Sequence, residues 1–124
     1  MGLVNTPIET YKLNGVNVDV KRDDLVGDGI NYPKPGNTVT CHYTGYLTNG
    51  NRFDSSRDRG KPFKFKLGSE QVIPGLDLGV AQLSIGERAK LTIPSRLAYG
   101  EKGFPGLIGK NEDLVFDMEL ITFS

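Results

Sequence analysis

Thr38-Val39-Thr40-Cys41-His42-Tyr43-Thr44-Gly45-Tyr46 reads as an extended strand, and Asn49-Gly50 follows it closely. Val39, Cys41 and Tyr43 alternate with Thr40, His42 and Thr44, which puts the two sets on opposite faces. Asn-Gly tolerates positive φ and is the strongest short hairpin signal, so the chain is expected to turn back there. Working outward, the same period of two recurs. Phe63, Phe65 and Leu67 alternate with Lys64 and Lys66; Ala89, Leu91 and Ile93 alternate with Arg88, Lys90 and Thr92. Leu114, Phe116, Met118 and Leu120 form one face of a long run whose other face carries Asp117 and Glu119, and Val16, Val18 and Val20 mark a further strand. One segment has a helical period: after Pro74, suited to a first helical turn, Ile73, Leu76, Val80 and Leu83 recur at steps of three and four. Gly75 and Gly79 lower its propensity, so a short helix held by packing is expected. The fold class is therefore α+β, a mostly antiparallel sheet curved over one short helix. Residues 1–14 read as a loosely held extension, and 15–124 as a single domain.

The 124 residues suit one compact domain with its own core. Lys plus Arg number 15 and Asp plus Glu 15, a net charge of zero, so no basic excess exists to displace counterions from nucleic acid. The apolar runs are far short of the roughly 20 residues of a membrane helix. Met1–Pro7 lacks the basic and apolar regions of a secretory leader. Gly2 with Thr6 fits only the short myristoylation pattern. Cys41 is the single cysteine, which excludes an internal disulfide and fits the cytoplasm. Nucleophilic chemistry needs a nucleophile beside a base. The one cysteine and the one histidine, Cys41 and His42, are adjacent in a strand and point to opposite faces. One histidine, no Cys-x-x-Cys and no calcium-loop spacing leave no expected metal site. Gly27-Asp28-Gly29 leads into a loop with two prolines rather than a helix, unlike a phosphate cradle. What remains is a domain with few reactive groups and many aromatics, suited to binding or to a reaction that breaks no covalent bond.

Several segments carry a resemblance in collinear order. They are Val39–Gly45, Phe53-Asp54-Ser55-Ser56-Arg57-Asp58-Arg59, Lys61–Phe65, Leu67-Gly68, Gln71-Val72-Ile73-Pro74-Gly75-Leu76, Gly79-Val80, Gly86–Ile93, Ala98-Tyr99-Gly100, Gly103-Phe104-Pro105-Gly106 and Leu114–Leu120. Over roughly residues 15 to 123 the chain resembles the single-domain FKBP-type prolyl isomerases, the immunophilins that bind tacrolimus and rapamycin. The resemblance implies an antiparallel sheet of five or six strands over a short helix, with a pocket between them. It implies a peptidyl-prolyl cis-trans isomerase without a cofactor, acting on proline-containing peptides and proteins; a monomer is the default expectation. It also implies tacrolimus and rapamycin as ligands, with drug-dependent engagement of calcineurin or TOR.

By motif, the pocket would be lined by Tyr43, Phe53, Asp54, Phe63, Val72, Ile73, Tyr99, Ile108 and Phe116, with Leu76 as its floor. Arg59 would hold Asp54, and Phe104 would stand on a flanking loop. The catalytic roles implied fall to the Ile73 N–H and the Tyr99 hydroxyl, as donors to substrate carbonyls, and to Asp54 near the rotating carbonyl. The chain departs from the family pattern at four places. Leu76 stands where most active members carry tryptophan, Phe104 where histidine is common, and Gly109-Lys110 replaces a proline-rich pair. Lys21–Val26 is longer by a few residues. Two other functions fit the same residues: a non-catalytic module that binds proline segments of a partner, and a general folding chaperone.

Overall fold

The computed structural model describes residues 8–124, except for the side chains of residues 23 and 24. Seven strands form one antiparallel sheet: β1 (Ile8–Leu13), β2 (Val16–Leu25), β3 (Thr38–Leu47), β4 (Arg52–Ser55), β5 (Phe63–Lys66), β6 (Arg88–Ile93) and β7 (Leu114–Phe123). Two helices accompany them, the single turn α1 (Ser56–Arg59) and the principal helix α2 (Pro74–Val80). The strand order is β1-β2-β6-β7-β3-β4, with β5 also paired to β3.

Each alternation read in the sequence becomes an inward face. Val18, Val20, Val39, Cys41, Ala89, Leu91, Ile93, Leu114, Met118 and Leu120 are all fully buried. They meet Val80 and Leu83 from the α2 side, also fully buried. Burial of each such aliphatic side chain contributes about 1.5–3 kcal/mol, which is how a seven-residue helix with two glycines is held. The glycines have a packing role. A Cβ on Gly75 would lie 2.3 Å from Ile93 Cγ2, and one on Gly79 would lie 2.7 Å from Leu91 Cδ1. The face of α2 without side chains therefore rests directly on β6.

Three features differ from the sequence expectation. The sheet has seven strands rather than five or six, because residues 8–13 of the expected extension pair with β2 along their length. The boundary placed between 14 and 15 is the turn of that hairpin, with Asn14 at φ 52° and Gly15 at φ 77°, and only residues 1–7, with the Gly2 pattern, lie outside the described residues. β1 was faint because it is an edge strand with half-exposed or exposed positions throughout. The second difference is α1, whose four residues are too few to show a period. The third is at Asn49-Gly50, where Gly50 alone takes positive φ and the loop closes through Leu47 N–H to Asn51 O at 2.8 Å. The surplus residues after Val20 are absorbed in β2, where pairing to β6 shifts between Lys21 and Leu25 as a bulge.

Along one side β3 pairs with β7 over its whole length. Along the other, Thr38–Cys41 pair with β5 and Thr44–Tyr46 with β4. At the handover the Tyr43 N–H has no strand opposite it. A buried N–H needs an acceptor, and the Ser56 Oγ supplies one at 2.8 Å. Ser56 is the first residue of α1 and is fully buried.

Candidate active site

Side chains from six parts of the fold meet at one hollow between α2 and the sheet. β3 supplies Tyr43, β4 Phe53 and Asp54, β5 Phe63 and β7 Phe116. The start of α2 supplies Gln71, Val72, Ile73 and Leu76, and the loop after the 3-10 turn Ser95–Leu97 supplies Tyr99. The hollow measures about 160 Å³. A cavity of about 150 Å³ admits benzene, so the space suits a five-membered ring. Its walls are four linked aromatics. Tyr43 meets Phe63 edge-on with centroids 5.6 Å apart and Phe116 at 5.9 Å; Phe53 meets Phe116 at 5.7 Å. Such pairs contribute about 0.5–1.5 kcal/mol each beyond burial and keep the walls stiff. Gly45 makes the Phe53 position available: a Cβ there would lie 2.5 Å from Phe53 Cζ.

The polar groups sit at the rim. The Tyr43 hydroxyl donates to Asp54 Oδ2 at 2.5 Å, and Arg59 Nη1 donates to Asp54 Oδ1. Arg59 Nη2 donates to the Tyr43 hydroxyl oxygen at 3.2 Å, and its guanidinium lies 5.8 Å from the Tyr43 ring centroid. α1 brings Arg59 back towards Asp54. Ser55 caps it by accepting the Asp58 N–H at 3.2 Å, and Gly60 ends it at φ 64°. Partial burial pushes the Asp54 carboxyl up, but bonds from Tyr43 and Arg59, the Arg59 charge and the Ser55 N–H outweigh it and hold it below the usual range. The Tyr43 phenol is raised, first by burial and then by its bond to Asp54. Tyr99 is raised by burial and by the Asp54 charge. At neutral pH the site therefore carries an ionised carboxylate, a guanidinium and two intact phenols.

Two donors at the hollow remain free. Ile73 caps α2 without a side-chain bond, and its N–H meets no acceptor among the described residues. The Tyr99 hydroxyl likewise has none. Neither a nucleophile nor a base stands among the lining residues in a reactive pair. Cys41 is buried in the core, its thiol pushed up to about 12 by desolvation. His42 Nδ1 meets Ser56 Oγ at 2.9 Å.

Comparison with known proteins agrees with this geometry. The family model for FKBP-type peptidyl-prolyl cis-trans isomerase matches residues 29–121. The chain belongs to that family. FK506-binding protein 1 of Debaryomyces hansenii is 61% identical over 96 residues, covering 77% of this chain and 86% of the relative. FK506-binding protein 1 of Saccharomyces cerevisiae is 59% identical over 95 residues, 77% of this chain and 83% of the relative. Peptidyl-prolyl cis-trans isomerase Fkbp12 of Drosophila melanogaster is 59% identical over 95 residues, 77% and 88% of the two chains. The protein is accordingly a peptidyl-prolyl cis-trans isomerase, and its α+β fold is that of the FKBP family.

In this FKBP-type isomerase nine of the sequence-selected residues line the hollow: Tyr43, Phe53, Asp54, Phe63, Val72, Ile73, Leu76, Tyr99 and Phe116. Three stand apart. Arg59 is turned outward onto Asp54 and Tyr43. Phe104 is 46% exposed and packs edge-on against Tyr99 at 5.7 Å. Ile108 is buried in the same loop and bonded to Phe104 through both backbone groups at 2.8 Å. Gln71 lines the hollow without having been singled out. Its Oε1 accepts the Lys66 N–H at 2.8 Å, a tie between β5 and the approach to α2 that leaves no periodic trace in the sequence.

Proposed function

We propose that the isomerase acts by holding the prolyl ring of an X–Pro segment in the aromatic hollow and binding the twisted imide more tightly than the planar one. The X–Pro bond resists rotation, with a barrier of about 18–20 kcal/mol, because resonance gives it double-bond character. Rotation breaks that resonance and reduces the charge separation of the imide. Water favours the polar planar form, so a hollow that excludes water removes part of the preference. Only interactions stronger in the twisted form raise turnover. Each 1.4 kcal/mol or so gives about tenfold in rate, so about 5.5 kcal/mol is needed for a gain on the order of 10⁴.

Tyr43, Phe53, Phe63, Leu76 and Phe116 enclose the ring and exclude solvent. The free Ile73 N–H donates to one substrate carbonyl and the free Tyr99 hydroxyl to a second. Asp54, fixed by Tyr43 and Arg59, faces the rotating carbonyl and favours the orientation in which its oxygen turns away from the carboxylate. No proton or electron pair is transferred to the protein. The observation that carries this mechanism is the convergence of four linked rings and two unpaired donors on one ring-sized space.

Tacrolimus (FK506) is proposed as a ligand of the same hollow, as the names of the FK506-binding relatives indicate for those proteins, and rapamycin is proposed as a second. With about 160 Å³ available, a macrolide places one ring inside and spreads over the rim. The chain is proposed to act as a monomer in the cytoplasm, and its drug complexes to be presented to calcineurin or TOR by the loops around Phe104 and Arg59. Two-dimensional exchange spectroscopy of a Leu-Pro peptide with substoichiometric protein tests the site. Exchange cross-peaks are expected, falling at least tenfold in Phe116→Ala and in Asp54→Val. Unchanged exchange in both variants, with the fold intact, refutes the assignment.

A further inference from the structure

We infer that the groove beside the proline hollow is a subsite for an acidic side chain of the substrate, and that Lys61 and Lys64 determine this specificity. The inference rests on the proposed hollow being where the prolyl ring sits. Phe63 is shared by both spaces: it walls the hollow and, with Pro62, floors a groove of about 530 Å³ lined also by Arg59, Lys61 and Lys64. Among the described residues, three cations and no carboxylate line this groove. Arg59 is already committed to Asp54. Lys61 and Lys64 are exposed, and neither has a salt-bridge partner among the described residues.

The backbone explains why the groove stays open. Among the described residues β5 pairs with β3 alone, and no strand lies along its other edge. Lys64 lies on this strand and Pro62 immediately precedes it, and both line the groove. Consecutive residues of an extended chain advance about 3.3–3.6 Å. The groove and the hollow share Phe63, so a peptide leaving the hollow past Phe63 enters the groove within a few residues of its proline. The chain as a whole has zero net charge, so no general field attracts acidic peptides, and any preference must be local. Exposed pairs are modest and screened by salt, which sets the size of the effect: selectivity rather than tight binding.

The test compares peptides carrying Glu or Gln at each of the three positions on either side of a Leu-Pro bond, read as kcat/KM by exchange spectroscopy. At low salt the Glu peptide is expected to be favoured roughly three- to tenfold at one or more positions. The preference should shrink towards unity at about 1 M salt, where the Debye length is roughly 3 Å. It should also vanish in Lys61→Gln/Lys64→Gln. A Glu/Gln ratio near one at every position, as expected if the lysines only shield a sheet edge, overturns the subsite. So does a preference that survives the double substitution. Phe116→Ala separates the two levels: loss of exchange for both peptides with a flat Glu/Gln ratio in the native protein overturns the subsite alone, whereas unchanged exchange refutes the hollow and the placement of the subsite with it.

Discussion

Replacing Gly75 or Gly79 by alanine sets helix propensity against packing, and the structure decides the sign. In an exposed helix interior, alanine gains about 1 kcal/mol over glycine. Here the added methyl group would lie 2.3 Å from Ile93 Cγ2 at position 75 and 2.7 Å from Leu91 Cδ1 at position 79. Ile93 and Leu91 are fully buried, so neither can swing aside into solvent. Overpacking of this kind costs about 1–3 kcal/mol. At position 75, the second residue of α2, the propensity gain is smaller and the approach closer, so a net loss of about 2 kcal/mol is expected. At position 79 the terms nearly offset, with a net loss of up to about 1 kcal/mol. For a domain of this size each 1 kcal/mol lowers Tm by about 3–5 °C. Urea unfolding and thermal melting of both variants measure this directly. The shift also has a functional consequence. α2 can relieve the clash only by lifting from β6, which carries the Ile73 N–H and the Leu76 floor with it, so kcat/KM of Gly75→Ala should fall about tenfold, consistent with the cost of small misplacements. Gly109→Ala is the control, because its nearest neighbour, Glu112 Oε1, is at 3.5 Å. Stabilisation by Gly75→Ala, or stability lost without any loss of turnover, would refute the role given to the helix–sheet approach.

Leu76→Trp should raise exchange and tighten tacrolimus, since a larger flat floor gives the bound ring more contact; calorimetry showing equal or weaker affinity would contradict this. Stability contributed by the lowered Asp54 carboxyl is fully present above the unfolded carboxyl range of about 3.9 and is lost as pH falls through the still lower folded value. Asp54→Asn should therefore flatten the acid limb of a stability–pH curve below about pH 4 and leave its neutral slope unchanged. With its thiol pushed up to about 12, Cys41 has a thiolate fraction on the order of 10⁻⁴ at pH 8. Thiol reagents should label it only as fast as the protein unfolds, and rapid labelling of the native protein would show that the core is open there.

The strands of the core were legible because each has one wet and one dry face, as the alternation in β3, β6 and β7 shows. α2 was legible from Pro74 and the spacing of Leu76 and Val80. β1 was missed although Asn14-Gly15 repeats the dipeptide that marks the other hairpin. Its exposed positions lack the apolar alternation that would have supported the turn. Most of the site was found through collinear family resemblance, since periodicity alone places Phe63 and Phe116 in the core and cannot make them converge. The loop that carries Phe104 and Ile108 shows the same limit: a motif locates a residue along a loop, whereas the Phe104–Ile108 bridge that closes it leaves no periodic trace.

The handover on β3 divides the molecule into a part that tolerates length changes and a part that does not. Between the end of β4 and the start of β5 the chain leaves the sheet, and the Ser56 hydroxyl alone stands in for the missing ladder bond. Residues 60–62 lie beyond that bond and before β5. An insertion after Lys61 would lengthen the rim of the groove beside the catalytic chamber without cutting the Gly60 and Lys61 backbone bonds that close α1. Diversification of substrate choice among descendants of this chain would therefore be expected to concentrate in that short span.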